Sequence, residues 1–204
     1  MHYSIGLAFR RGDLSSFGDR VVMDTTGGPF VHAELFLRKG QNTRFYGTID
    51  LGSKHEGGCF MPTRRSLPEN WHAVSIPVTP ECYKTAYALV LQLISMQLPY
   101  NSRDLWQCCI KLMLPFERDL DCLNLEGWRA HGVFCSQVCL LVLRRLAMQG
   151  ALALPLDVAT KVAATNSRGC SPNNLFQIIT TAKKRDESRG ARRQAVCTQV
   201  LSAR

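Results

Sequence analysis

At 204 residues with 46% apolar side chains, the chain is long enough for one sizeable core and too apolar for a disordered polymer. Lys and Arg exceed Asp and Glu by 25 to 16, a formal charge of +9. From Lys183 onward seven basic residues stand against Asp186 and Glu187, so a nucleic-acid role argued from basicity alone would rest on that tail.

Arg10, Arg11 and Asp13 interrupt any leader-like apolar start. The stretch nearest to a membrane span, Thr85 to Tyr100, is broken by Gln92, Ser95 and Gln97. The expectation is a soluble, cytoplasmic protein without a transmembrane segment. Nine cysteines, an odd and scattered set with Cys108, Cys109 and Cys139 in apolar surroundings, read as reduced thiols used as small hydrophobes.

Tyr3 to Phe9 reads as a buried first strand, and Asp13 to Asp24 as a short helix or structured loop before the turn Thr25-Thr26-Gly27-Gly28-Pro29. Phe30 to Leu37 alternates, with Val31, Ala33, Leu35 and Leu37 on one face and Phe30, His32, Glu34 and Phe36 on the other. Lys39 to Asn42 is a hairpin turn into a strand from Arg44 to Asp50; further strands begin at Gly57-Gly58-Cys59 and run from Ala73 to Val78. Past Pro80 the period becomes helical through Leu98. Asn101 with Asp104 suggests a cap for a helix through Leu112, stopped by Pro115, and Phe116 to His131 reads as loop. A helix over Cys135 to Met148 ends at Gly150, and Ser171-Pro172 caps a last helix to Thr181. The fold class is α+β, a small antiparallel sheet against helices, in one domain of residues 1–182 followed by a flexible basic tail, 183–204. The tail has few large apolar side chains, so it is expected to be dispensable for folding and to meet an anionic partner.

Two segments carry chemistry. Cys135 follows Gly132 and opens a helix, where unpaired N–H groups and the positive dipole end favour a thiolate. Its own N–H would be free for an oxyanion. Taken singly, any one of nine cysteines is more often structural. His32 shares its strand face with Glu34, between Phe30 and Phe36, which suggests a cleft whose aromatic walls touch substrate. Glu34 would orient the imidazole or bind substrate, unless it is an ordinary solvated carboxylate.

The ordered set Val31-His32-Ala33-Glu34-Leu35, Gly57-Gly58, Asn70-Trp71, Phe134-Cys135-Ser136-Gln137 and Ser171-Pro172-Asn173-Asn174-Leu175-Phe176 resembles the circularly permuted NlpC-like papain-fold hydrolases. These include lecithin:retinol acyltransferase relatives, YiiX-like bacterial proteins and, most similar in layout, proteins of poxviruses and other large DNA viruses. The resemblance spans residues 1–181. It implies Cys135 as nucleophile, His32 as general base and Ser136 beside the substrate, without a cofactor. The third polar group it leaves open: Glu34, which we prefer, or Thr48, Asp50 or Ser53 on the following strand. Such families act on amides, thioesters or lipid esters through an acyl-enzyme, so peptide, acyl-amide and lipid substrates are all open. Two other classes compete: a zinc module using Cys122, His131, Cys135 and Cys139, and a non-catalytic papain-like scaffold that binds through the tail.

Overall fold

The computed structural model describes residues 2–48, 60–102, 105 and 119–181. Five strands, β1 (Tyr3–Arg11), β2 (Phe30–Lys39), β3 (Asn42–Thr48), β4 (Phe60–Pro62) and β5 (Trp71–Val78), form one sheet in the order β4-β3-β2-β1-β5. Every neighbouring pair is antiparallel. The molecule is α+β. The expected strand to Asp50 is seen as far as Thr48; Asp50, Ser53 and Gly57 to Cys59 lie outside the described residues, as does the tail.

β1 sits between two partners and is buried from Ser4 to Phe9, which explains its predominantly apolar sequence. Ile5, Leu7 and Phe9 join the main core, whereas Ala8 belongs to a smaller cluster with Phe36, Phe45 and Trp71. Gly6 lies opposite Phe36, and a Cβ there would stand 2.2 Å from that ring, so the glycine makes room for it.

Six helices accompany the sheet among the described residues: α1 (Phe17–Thr26), α2 (Pro80–Ser95), α3 (Leu125–His131), α4 (Cys135–Met148), α5 (Leu156–Ala164) and α6 (172–181). Thr79 caps α2, accepting at its hydroxyl from the Cys82 N–H at 3.2 Å, with Pro80 in the first turn. Ser171 caps α6 in the same way, taking the Asn174 N–H at 3.1 Å. Eleven of the fourteen residues of α4 are buried, so this helix is packed nearly all round, against β2, α2, α5 and the 3₁₀ turn Ser167–Gly169. Leu140, Leu141 and Leu143 are wholly enclosed, and truncating one to Ala costs about 2–5 kcal/mol. Arg144, also buried, donates to the carbonyls of Val162 and Thr165 and pairs with Asp119 at 2.8 Å, tying α5 to α4.

Three expectations change. Residues 125–131 are helix rather than loop: Asn124 caps them by accepting from Gly127 N–H at 3.0 Å, and Trp128 anchors them in the core. The helix α5 has no sequence counterpart, since Pro155 offers no side-chain cap. Strict alternation in β2 fails at its start. Arg10 pairs with His32 but Arg11 with Phe30, so Val31 is an extra residue, a β-bulge. The bulge turns Phe30 away from the His32 face into the main core, with its ring 5.5 Å from Phe9 and 4.5 Å from Phe176. Asn173 of α6 fixes that turn, accepting from Phe30 N–H and donating to Phe30 C=O, both at 2.9 Å. The expected helix from Asn101 to Leu112 falls mostly outside the described residues.

Candidate active site

The start of α4 is held from several sides. Gly132 takes a positive φ of 73°, which a residue without Cβ adopts freely, and a Cβ there would meet the Pro99 carbonyl at 2.7 Å. The Val133 N–H donates to that carbonyl at 2.9 Å. Gln137 reaches back, its Oε1 accepting from Phe134 N–H at 3.2 Å, and the Ser136 hydroxyl donates to the Cys170 carbonyl at 2.6 Å. Cys135 is the first helical residue, so its N–H has no acceptor inside the helix.

The sulfur of Cys135 meets β2 beside His32 and Ala33. Among the described residues, pairing of β2 with β3 begins at Leu35 opposite Tyr46. The sulfur lies close enough to the His32 imidazole and to the N–H groups of Ala33 and Ser136 for each to favour its charged form. Burial opposes a charged sulfur, but the His32 charge, its hydrogen bond and the two backbone donors outweigh it and lower the thiol pKa. On His32 burial likewise opposes charge. The thiolate's charge and hydrogen bond, followed by Glu34, prevail and raise the imidazole to about 9. Each ion supports the other, which favours a thiolate–imidazolium pair at neutral pH. Cys139 and Cys170 lack such a partner, and burial pushes them up, Cys170 to about 12.

Behind the imidazole lies a buried carboxylate. His32 Nε2 is 3.6 Å from Glu34 Oε1, an ion contact longer than a hydrogen bond. Glu34 is 1% exposed and fully engaged: Thr63 Oγ1 donates to Oε2 at 2.9 Å and Arg64 Nη2 to Oε1 at 2.8 Å. Pairing of 63–64 with Phe45 brings both donors there, through Thr63 N–H to Phe45 C=O at 2.9 Å and Phe45 N–H to Arg64 C=O at 3.1 Å. The Arg64 guanidinium also lies 3.9 Å over the Trp71 ring, whose edge-on contact with His32 has centroids 5.8 Å apart. Gly47 leaves space for the carboxylate, since a Cβ there would come 2.7 Å from Glu34 Cγ. A cleft of about 410 Å³ opens on this cluster, lined among others by Arg10, His32, Glu34, Thr48, Arg64 and Trp71.

Cys135, His32 and Glu34 are thus brought together in series. Thr48 lines the same cleft, and its buried hydroxyl finds no partner among the described residues. The residues expected to touch substrate are covered. Phe30 is in the main core, Phe36 packs 5.4 Å from Phe45 with the Arg38 guanidinium above it, and Ser136 is wholly buried on Cys170. Cys135 itself is 2% exposed, packed with Phe134, Tyr100 and Leu105. Sequence reasoning missed Thr63, Arg64 and Gly47; the one available signal was that a buried Glu needs a cation, and the sequence offers many. The four candidate zinc ligands do not converge. Cys122 Sγ is 3.2 Å from Met148 Sδ at the far end of α4, about 20 Å from Cys135 at 1.5 Å per residue, and His131 is exposed. Among the described residues no group of three or more His, Cys, Asp or Glu could hold a metal ion. No helix among them is long and apolar enough to cross a membrane.

Comparison with family models, with curated proteins and with solved structures finds no match to this chain.

Proposed function

We propose that the chain is a cysteine hydrolase or acyltransferase with a circularly permuted, NlpC-like papain fold, acting through an acyl-enzyme on an amide, thioester or lipid ester. The observation that carries this reading is the Cys135–His32 pair, a lowered thiol at a helix start against a raised imidazole backed by a buried carboxylate. The thiolate attacks the substrate carbonyl carbon. The developing oxyanion is met by the Cys135 N–H and the positive end of α4. The His32 imidazolium gives its proton to the leaving amine, thiol or alcohol as the C–N, C–S or C–O bond breaks. His32, now neutral, takes a proton from water or an acceptor hydroxyl, which attacks the thioester and releases the acyl group. Glu34, held by Thr63 and Arg64, steadies the charged imidazole and is a positioning residue.

A second reading, a papain-like scaffold that binds without turnover, is favoured by one observation: Cys135 is only 2% exposed, with Tyr100 and Leu105 packed against it. Fluorogenic peptide amides, acyl thioesters and lipid esters, assayed against Cys135→Ala, separate the two. Turnover of one class that the variant lacks supports the enzyme. If all three classes stay intact, or the variant hydrolyses them equally, the scaffold stands.

A further inference from the structure

A second concave site lies at the other end of the sheet. Lys39, Asn42, Thr43 and Arg44 of the β2–β3 hairpin, Arg65, and Tyr83 and Tyr87 of α2 line a groove of about 420 Å³. Lys39 is seven residues along β2 from His32, about 23 Å away at 3.3 Å per residue, so this groove is separate from the candidate active site. Arg64 and Arg65 are consecutive and serve different places, the first in the cleft beside Glu34 and the second here.

The groove's charge is one-sided. Three cations line it and no carboxylate does, and none of Lys39, Arg44 or Arg65 forms a salt bridge among the described residues. Holding three like charges around one concavity is unfavourable unless an anion joins them. Its aromatic wall is ordered. The Tyr83 and Tyr87 rings lie nearly parallel, 8° apart with centroids at 6.4 Å, one turn apart on α2. The Tyr87 hydroxyl receives Arg44 Nη1 at 3.5 Å, a long contact, and the Tyr46 phenol also lies beside that guanidinium, whose five N–H groups still leave donors for a ligand. Burial raises the Tyr83 phenol, which therefore stays a protonated donor. Arginine forks and phenolic O–H groups without a competing carboxylate suit the oxygens of a phosphate.

We propose that the groove between the β2–β3 hairpin and α2 binds a phosphate-bearing ligand, with Lys39, Arg44 and Arg65 supplying charge and Tyr83 and Tyr87 supplying hydroxyl donors. The phosphate belongs either to a lipid headgroup or to a soluble phosphorylated compound. The full chain and its Lys39→Gln/Arg44→Gln/Arg65→Gln variant are titrated with phosphatidylcholine vesicles containing phosphatidylinositol 4-phosphate, and separately with soluble inositol trisphosphate. The basic tail is common to both proteins, so any binding it contributes persists in the variant. Each Arg→Gln exchange is expected to weaken binding roughly tenfold, the loss of a charge-assisted hydrogen bond. Vesicle binding without soluble binding identifies a lipid source; equal binding of the free compound identifies a soluble one. Equal affinity of the parent chain and the variant, or no binding of either probe, overturns the proposal. Arg65→Gln alone, at an exposed position, repeats the test should the triple variant fold poorly. Unchanged Cys135 alkylation in each variant shows that the fold is intact.

Discussion

Replacing His32 by Ala removes the main support of the Cys135 thiolate and leaves burial unopposed except by two backbone N–H groups. The variant thiol then sits at or above the ordinary value of 9.0, so at pH 7 about 1% or less is thiolate. In the parent chain the lowered thiol is ionised to a larger extent. The variant's more basic thiolate is intrinsically the better nucleophile and recovers part of the loss. The net expectation is an alkylation rate with iodoacetamide at pH 7 lower by about tenfold. The two profiles also differ in shape. The variant's rate climbs about tenfold per pH unit up to 9, whereas the parent's climbs less steeply and changes again as His32 loses its proton near 9. Peptide mapping follows Cys135, with Cys170 as the internal control, since its thiol is pushed up to about 12 and stays unmodified while the fold holds. Equal rates at pH 7, or equally steep profiles with Cys170 protected in both, would refute the reasoning.

Glu34→Gln keeps the shape of the side chain and removes its charge. Because Glu34 ranks after the thiolate in raising His32, alkylation of Cys135 should fall by only about threefold, and a loss as large as that of His32→Ala would reverse the ranking. Gly47→Ala pushes on Glu34 Cγ at 2.7 Å and should cost roughly 2 kcal/mol, a fall in Tm of about 4–8 °C by calorimetry; an unchanged Tm means the carboxylate has slack. The pair also sets a pH dependence of stability. His32 alone, raised from 6.5 to about 9, contributes stability that is complete below 6.5 and lost as pH rises through 9. Cys135 alone, lowered from 9.0, contributes stability present above 9.0 and lost as pH falls through its folded value. Between 6.5 and 9 the slopes cancel wherever the folded pair is thiolate and imidazolium, because folded and unfolded chains then each carry one proton on the two groups. The difference in urea midpoint between the parent chain and a Cys135→Ala/His32→Ala double variant should therefore be level from 6.5 to 9 and shrink below 6.5; a steady slope across the upper window contradicts a shared proton.

Much of the site could be read locally. His32 and Glu34 are two apart on a strand, which puts them on one face whatever the tertiary structure. Gly132 before Cys135 marks the turn that starts a helix, and the buried α4 follows from its apolar run. What stayed hidden depends on distant partners. Nothing in the spacing of Glu34 and Arg64 joins them; a three-residue strand, β4, brings Arg64 across, and that contact turns Glu34 from a solvated carboxylate into a buried one. Phe30 was misplaced because alternation assumes an unbroken ladder, and the Val31 bulge is fixed from 143 positions away by Asn173. The helices α3 and α5 are short, the first with Gly127 inside it and the second without a cap side chain, so local preference underdetermines both.

In the proposed reaction Cys135, paired with His32, carries an acyl group. Intact-mass spectrometry after brief exposure to activated acyl esters and thioesters at neutral pH, with the modified peptide then mapped, detects that group. The expected result is a single acyl adduct on Cys135 that disappears with time in the parent chain and forms slowly, if at all, in His32→Ala. Acylation of another cysteine first, with Cys135 untouched, would contradict it.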